Sequence, residues 1–439
     1  MTLVTSHPVP HCDRAAVQAT RWVNAADHPL QDNQQVRIEV LPQLLDQVFT
    51  GFGGAVSEIG WDALSALNAR DRDAFFTHVF GSEACAMQWA RVPIGASDFA
   101  RDAYSHCETP GDFEMAAFSI ERDRTGLLPY LQAAKAANPA LRLHASPWSP
   151  PGWMKHSGRM DGPEGGELRD EPAVLQAHAR YLRRFCEAYA AEGLPVDRLM
   201  VQNEMDSAGG FPTCRWPPER FARFHLEYLV PEFTQAGLTT ELWSGTFRSI
   251  TGAQAHACLS EPRYRGAIQG VAVQYCFPQL VQELRARFPG LAVMHTESVC
   301  HRGDNSAAEA VGQFDDTIAY LAVGADTFSY WNLALDERRT SSWGWTQNSL
   351  ATIDRSDHSL HWNPDAAVFA FLGQALPPGS QRVASFSYLM DTLCVRTPTG
   401  QLRLLVRNLE GAREALVRIG DNEHKVSLPG HALCSLDLP

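Results

Sequence analysis

Between residues 48 and 335 the chain alternates short apolar runs with longer stretches of helical period. VFTGFGGAVS (48–57), CAMQWARVPIGAS (85–97), LRLHASPWS (141–149) and RLMVQNE (198–204) read as four strands. TTELWSGTF, GVAVQYCF, LAVMHTESV and ADTFSYWNLAL follow as four more. Their apolar residues run almost unbroken, as parallel strands covered on both faces require. DALSALNARDRDAFFTHVF (62–80), a segment near 125–137, VLQAHARYLRRFCEAYAAEG (174–193) and PERFARFHLEYLVPEFTQAG (218–237) read as helices between the strands. Eight strand-then-helix units predict an α/β chain folded as a (β/α)8 TIM barrel. An open dinucleotide-binding sheet would need G-x-G-x-x-G after its first strand, and GFGGAVSEIG has the wrong spacing.

The two ends follow another pattern. Residues 20–41 and 381–438 alternate apolar and polar positions between turn signals, the mark of β-hairpins. They predict a β-sandwich side domain built from both termini, 1–45 together with 375–439, leaning on a catalytic barrel of 46–374.

Charge and composition narrow the partners. The 439 residues carry a formal net charge of -13 without any cluster of Lys and Arg. That argues against a nucleic-acid surface or an anionic-membrane patch. No apolar run approaches a membrane span, and MTLVTSHPVPHCDR lacks the apolar core of a secretory leader, so a cytoplasmic location is expected. The ten cysteines are scattered without C-x-x-C, against a zinc ribbon or a disulfide scaffold. His144, His178 and His295 lack H-x-H or H-E-x-x-H spacing and read as packed histidines, so no metal is expected. Cys214 reads as a loop-packing thiol.

In a TIM barrel chemistry sits where strands end. Arg91 and Asp98 follow the second strand and Trp148 the third. Asn203 and Glu204 follow the fourth, Glu297 the seventh, and Trp331 the eighth. Two glutamates aimed at one barrel mouth fit glycoside hydrolysis. One acid gives a proton to the leaving oxygen, and the other attacks the anomeric carbon or activates a water. Arg91 can support the nucleophile's charge, while Trp148 and Trp331 offer flat faces for a sugar ring. Asp98 and Asn203 can hydrogen-bond its hydroxyls. Taken alone, Glu204 could be a salt-bridged structural acid, Arg91 and Asp98 a structural pair, and the two tryptophans core.

GFGGAVSE, RVPIGASDF, ASPWSPPGWM, VQNE, HTES, YWNLAL and PPGSQRV, in that order from about residue 50, resemble glycoside hydrolase family 30. These are the glucosylceramidase-like retaining β-glycosidases. The resemblance implies a barrel with a β-sandwich side domain and hydrolysis without a cofactor. It implies Glu204 as general acid/base, Glu297 as nucleophile, Asn203 on the sugar's 2-hydroxyl and Arg91 beside the nucleophile. It places Asp98 on hydroxyls at the far side of the sugar, with Trp148 and Trp331 as walls. One block departs: where the family commonly has V-A-V-H-W-Y, this chain has Val271-Ala272-Val273-Gln274-Tyr275-Cys276. Strand alternation would put Gln274 and Cys276 on one face and Tyr275 on the other. Cys276 then stands where the family's tyrosine helps position the nucleophile, unless a local bulge turns Tyr275 inward. Gln274 and Tyr275 join the candidate substrate contacts on this ground, and Trp343 and Trp345 of RRTSSWGWTQNS (338–349) would enclose the pocket.

The expectation is a retaining, exo-acting β-glycosidase acting on a glucose, xylose, fucose or 6-deoxyglucose type of sugar. An endo-acting β-1,6-glucanase or xylanase of the same family is the alternative. From other classes stand a non-catalytic carbohydrate-binding protein and a metal-dependent barrel hydrolase.

Overall fold

The structure, a computed structural model, describes residues 4–8, 23–24, 36–162, 166–207, 209–248, 252–300 and 303–439. Much of the expected N-terminal hairpin stretch, 25–35, lies outside the described residues. Three N-terminal strands, β1 (Val4–Pro8), β2 (Val23–Asn24) and β3 (Val36–Val48), join the side domain rather than the barrel.

The barrel strands are β4 (Gly51–Ala55), β5 (Trp89–Pro93), β6 (Arg142–Ser146), β7 (Val196–Met200), β8 (Glu241–Arg248), β9 (Gly270–Gln274), β10 (Ala292–His295) and β11 (Thr327–Asn332). All pair in parallel, in the order β10-β9-β8-β7-β6-β5-β4-β11. The ring nearly closes between β10 and β11, where the Asp326 amide donates to Val293 O at 2.8 Å. Each of the eight runs in the sequence supplies one of these strands. Glycines in β4 allow tight contacts, for a Cβ on Gly54 would sit 2.2 Å from Leu333 Cδ2. The N-terminal end of the barrel is plugged by Arg198, whose guanidinium lies 4.4 Å from the Trp89 ring centre and 4.1 Å from that of Trp243. Chemistry is left to the opposite, C-terminal end.

Helices cover the barrel. The expected 62–80 helix is two, α1 (Glu58–Ser65) and α2 (Ala69–Phe80), because Asn68 stops one and caps the next by accepting the Asp71 amide at 3.0 Å. The third and fourth, α3 (Leu127–Ala137) and α4 (Pro172–Ala191), lie where the periodicity puts them, and Gly193 at φ 77° ends the latter's exit turn. The 218–237 stretch is α5 (Pro218–Phe224) and α6 (Val230–Ala236), joined by a π-helical turn over 225–229 just before Pro231. Proline cannot donate and crowds the carbonyl four residues back, and the widened turn makes room for it.

After β11 a short sheet of β12 (Ala334–Asp336), β13 (Ala351–Asp354) and β14 (Ser359–Trp362) returns the long tryptophan-bearing loop to the barrel. The side domain adds β15 (Gln381–Ser387), β16 (Thr392–Arg396), β17 (Leu402–Asn408), β18 (Arg413–Ile419), β19 (Asn422–Leu428) and β20 (Ala432–Asp437). They form one mixed sheet with the N-terminal strands, ordered β1-β20-β17-β16-β15-β3-β18-β19-β2. Both chain ends thus build it. Its core is its own, with Ile38, Val40, Leu404, Val417, Val426 and Leu436 buried together.

Candidate active site

The two glutamates stand in loops directly beyond β7 and β10, and both are buried. Backbone contacts lock the Glu204 loop. The Asn203 amide donates to Pro147 O at 2.7 Å, and the Glu204 amide to Thr246 Oγ1 at 3.1 Å. Glu204 itself sits in the left-handed region, φ 47°. A non-glycine residue holds that conformation only when its surroundings over-determine it. Here it swings the side chain out of strand alternation and into the mouth.

Arg91, fully buried on β5, organises the floor. Its Nη1 pairs with Glu297 Oε2, and its Nη2 donates to Asn203 Oδ1 at 2.6 Å and Ser146 Oγ at 3.3 Å. The guanidinium also lies 4.6 Å from the Trp148 ring centre. Such a charge-assisted pair stabilises the carboxylate at Glu297. Arg91 therefore pairs with Glu297, not with Asp98.

Tyr275 resolves the departure in the Gln274-Tyr275-Cys276 block. It too is left-handed, φ 47°, and its hydroxyl donates to Glu297 Oε1 at 2.8 Å. The expected placement of Cys276 is therefore corrected. The positive φ breaks alternation at the strand end, so Tyr275 turns inward, and Cys276 packs against Tyr320, its Sγ 3.7 Å from that hydroxyl. Burial and the Glu297 charge push the Tyr275 phenol well up, which keeps its proton available for donation.

Gln274 is buried at the end of β9. Its Nε2 lies 3.1 Å from Glu204 Oε1 and 3.0 Å from Glu297 Oε2. One nitrogen touching both carboxylates keeps the two oxygens no further apart than those distances together. That upper limit lies below the roughly 6.5–9.5 Å that leaves room for a water between the carboxyl groups of inverting enzymes. Burial first, then the charge of Glu297, raises the Glu204 carboxyl above its usual range, with Arg248, Gln274 and Arg91 opposing.

A cavity of about 140 Å³ opens over this floor, lined by Asp98, Trp148, Asn203, Glu204, Phe211, Arg248, Tyr275, Glu297, Trp345 and Gln347. Asp98 accepts from Trp345 Nε1 at 3.3 Å, while its Oδ1 has no partner among the described residues. Burial and the nearby Glu297 push its carboxyl up to about 8. The loop after β12 closes the rim: Ser342 Oγ donates to Ala100 O at 2.6 Å, and Trp345 meets Phe211 edge-on at 5.2 Å.

The structure therefore gathers Asp98, Asn203, Glu204, Glu297, Trp148, Tyr275 and Trp345 around one cavity, with Arg91 and Gln274 bracing the acids. Two sequence expectations fall elsewhere. Trp331 stacks behind Trp148 at 5.6 Å and meets Phe99, one layer away from the cavity. Trp343 is half-buried on the same loop as Trp345 and is not among the lining residues. Thr246, Arg248, Thr296, Phe211 and Gln347 were not foreseen. The first two end β8, a strand whose terminus offers polar groups as the others do, and the rule that chemistry sits at strand ends points to them.

His178 and His295 are buried, and burial depresses both imidazoles to about 3; His144 is depressed as well, chiefly by burial. Among the described residues no cluster of three or more His, Cys, Asp or Glu could hold a metal ion. Burial pushes the Cys214 thiol up to about 11, as an unreactive packing cysteine requires.

Residues 49–217 match the glycosyl hydrolase family 30 TIM-barrel domain. The lysosomal acid glucosylceramidase of Mus musculus is 26% identical over 396 residues, covering 84% of this chain and 76% of the mouse protein. The endo-1,6-beta-D-glucanase neg1 of Aspergillus fumigatus is 26% identical over 394 residues, covering 83% of this chain and 79% of that one. The crystal structure of SrfJ from Salmonella typhimurium superposes with a TM-score of 0.90 at 24% identity, over 99% of this chain and 98% of SrfJ. With two buried glutamates in the mouth of such a barrel, the chain is a glycoside hydrolase similar to glycosyl hydrolase family 30, a retaining family, whose TIM-barrel domain it matches over residues 49–217.

Proposed function

We propose that this β-glycosidase is exo-acting and removes a single glucose-like sugar by double displacement. Glu297 is the nucleophile and Glu204 the general acid/base. In the first step a Glu297 oxygen bonds to the anomeric carbon as the bond to the leaving oxygen breaks, and that oxygen takes the Glu204 proton. In the second, water attacks the same carbon, gives its proton to Glu204 and frees Glu297. The raised Glu204 carboxyl fits a group that must hold a proton until the leaving oxygen needs it. Arg91 and the Tyr275 hydroxyl brace Glu297 for attack. Asp98 offers an unpartnered buried oxygen to the sugar's hydroxyls, and Trp148 a wall for the ring.

The observation that carries the exo reading is the cavity. At about 140 Å³ it is well below the roughly 300–1,000 Å³ of pockets for drug-sized ligands, and Phe211 and Trp345 meet across its rim. The endo reading draws on the relative named as an endo-1,6-beta-D-glucanase. A time course on a β-1,6-linked glucose tetramer separates them, with the product anomer followed by NMR. Exo action releases glucose in the β form from the first time points. Early release of dimer from the middle of the chain would favour the endo reading.

A further inference from the structure

The family resemblance puts a titratable imidazole where this chain carries Gln274, and the structure shows what the amide does instead. Its Nε2 reaches three acceptors: Glu204 Oε1 at 3.1 Å, Glu297 Oε2 at 3.0 Å and Asn203 Oδ1 at 3.2 Å. An amide nitrogen has only two hydrogens. Asn203 Oδ1 is already served by Arg91 Nη2 at 2.6 Å and Thr246 Oγ1 at 3.3 Å. Both N–H groups are therefore free for the two carboxylates. Behind it Thr296 Oγ1 donates to Gln274 Oε1 at 2.9 Å, and the two carboxylates in front fix the orientation of the amide. A flipped amide would face two carboxylates with its own oxygen. Gln274 is fully buried and does not line the cavity.

We propose that Gln274 is a positioning residue, a clamp without a titrating proton that spaces Glu204 from Glu297 and donates to whichever of them carries the charge. The proposal rests on the roles given above to the two glutamates. Before the first step the charge is on Glu297, and the N–H aimed there is the charge-assisted bond. Once Glu297 is glycosylated and Glu204 has given up its proton, the charge sits on Glu204. The second N–H then becomes the stronger bond, with no movement of the amide. The other charged or titratable groups facing the pair are Arg91 from β5, Asp98 beyond it, Asp206 after Glu204, Arg248 at the end of β8, and Tyr275. None of these touches both carboxylates among the described contacts.

The test compares Gln274→Met and Gln274→Glu with the wild type on 4-nitrophenyl β-glucoside from pH 4 to 9, with thermal unfolding as the check on folding. Gln274→Met should lower kcat by roughly 10- to 100-fold and leave KM within about 3-fold, because misplaced acids slow chemistry without touching the sugar. Both limbs of its kcat/KM profile should move to higher pH, since each carboxylate loses a donor that favours its charged form. Gln274→Glu keeps the shape and adds an acid, so its limbs should move further the same way. If Gln274→Met does not fold, the Glu variant decides alone by its limbs. Unmoved limbs, or a loss confined to KM, would overturn the clamp. Wild-type enzyme treated with 2-deoxy-2-fluoro-β-glucosyl fluoride separates the two levels. A label on Glu297 beside unshifted Gln274 variants sinks only the clamp, whereas an unlabelled Glu297 sinks the reading beneath it.

Discussion

Glu204 and Tyr275 share an uncommon backbone, each a non-glycine residue at φ 47° in the loop that follows a barrel strand. Both bring a functional group into the mouth that strand alternation would have sent elsewhere. This is why the motif Asn203-Glu204 was legible in the sequence while the Gln274-Tyr275-Cys276 block was not. The first could be placed by resemblance, but the second required the period-two rule, which fails at a left-handed residue. Trp331 stands behind Trp148 because an indole at a strand end can face the ligand or support the indole that does. Asp98 gives a prediction at this scale. Its folded carboxyl titrates at about 8 against an ordinary 3.8. Between those values the folded protein keeps a proton that the unfolded chain releases. Its contribution is thus full at low pH and is lost as pH rises toward 8. Asp98→Asn is neutral throughout and should gain thermal stability relative to the wild type from pH 4.5 to pH 8. A constant difference in midpoint across that range would show that Asp98 is ionised in the fold.

At the scale of elements the sequence was most readable where period and length agree. All eight barrel strands, α3 and α4 follow from apolar runs and helical spacing. The breaks were less visible, since they depend on single side chains acting against a continuing pattern. Asn68 splits the 62–80 stretch by accepting the Asp71 amide at 3.0 Å and donating from Nδ2 to its carboxylate at 2.7 Å. Pro231 splits the 218–237 stretch through the π-helical turn before it. Replacing the cap, Asn68→Ala, should cost about 1 kcal/mol in urea unfolding and leave kcat unchanged, because α2 lies on the barrel's outside. A loss below about 0.3 kcal/mol would mean that the cap adds little beyond the packing of Phe75 and Phe76. Thr246 and Arg248 went unread although β8 itself was read. A strand's residues can be placed from hydrophobicity, but which of its last polar groups matter depends on the neighbouring strand ends.

For the whole molecule, the division of labour follows from the barrel. Its N-terminal end is sealed by Arg198 between two indoles, its helices bury the outside, and its C-terminal mouth presents Asp98, Glu204, Arg248 and Glu297 to a cavity. The side sheet, built from both chain ends, holds a separate core and contributes no residue to that cavity among those described. The central claim is that two acids in that mouth work in sequence, with Glu297 forming the bond to sugar. Incubation with 2,4-dinitrophenyl 2-deoxy-2-fluoro-β-glucoside, followed by proteolysis and mass spectrometry, tests it most directly. The account predicts one fluoroglucosyl group per chain, carried on Glu297 and released slowly with return of activity. A label on Glu204 or on any other residue, or hydrolysis with inversion and no label, would contradict it.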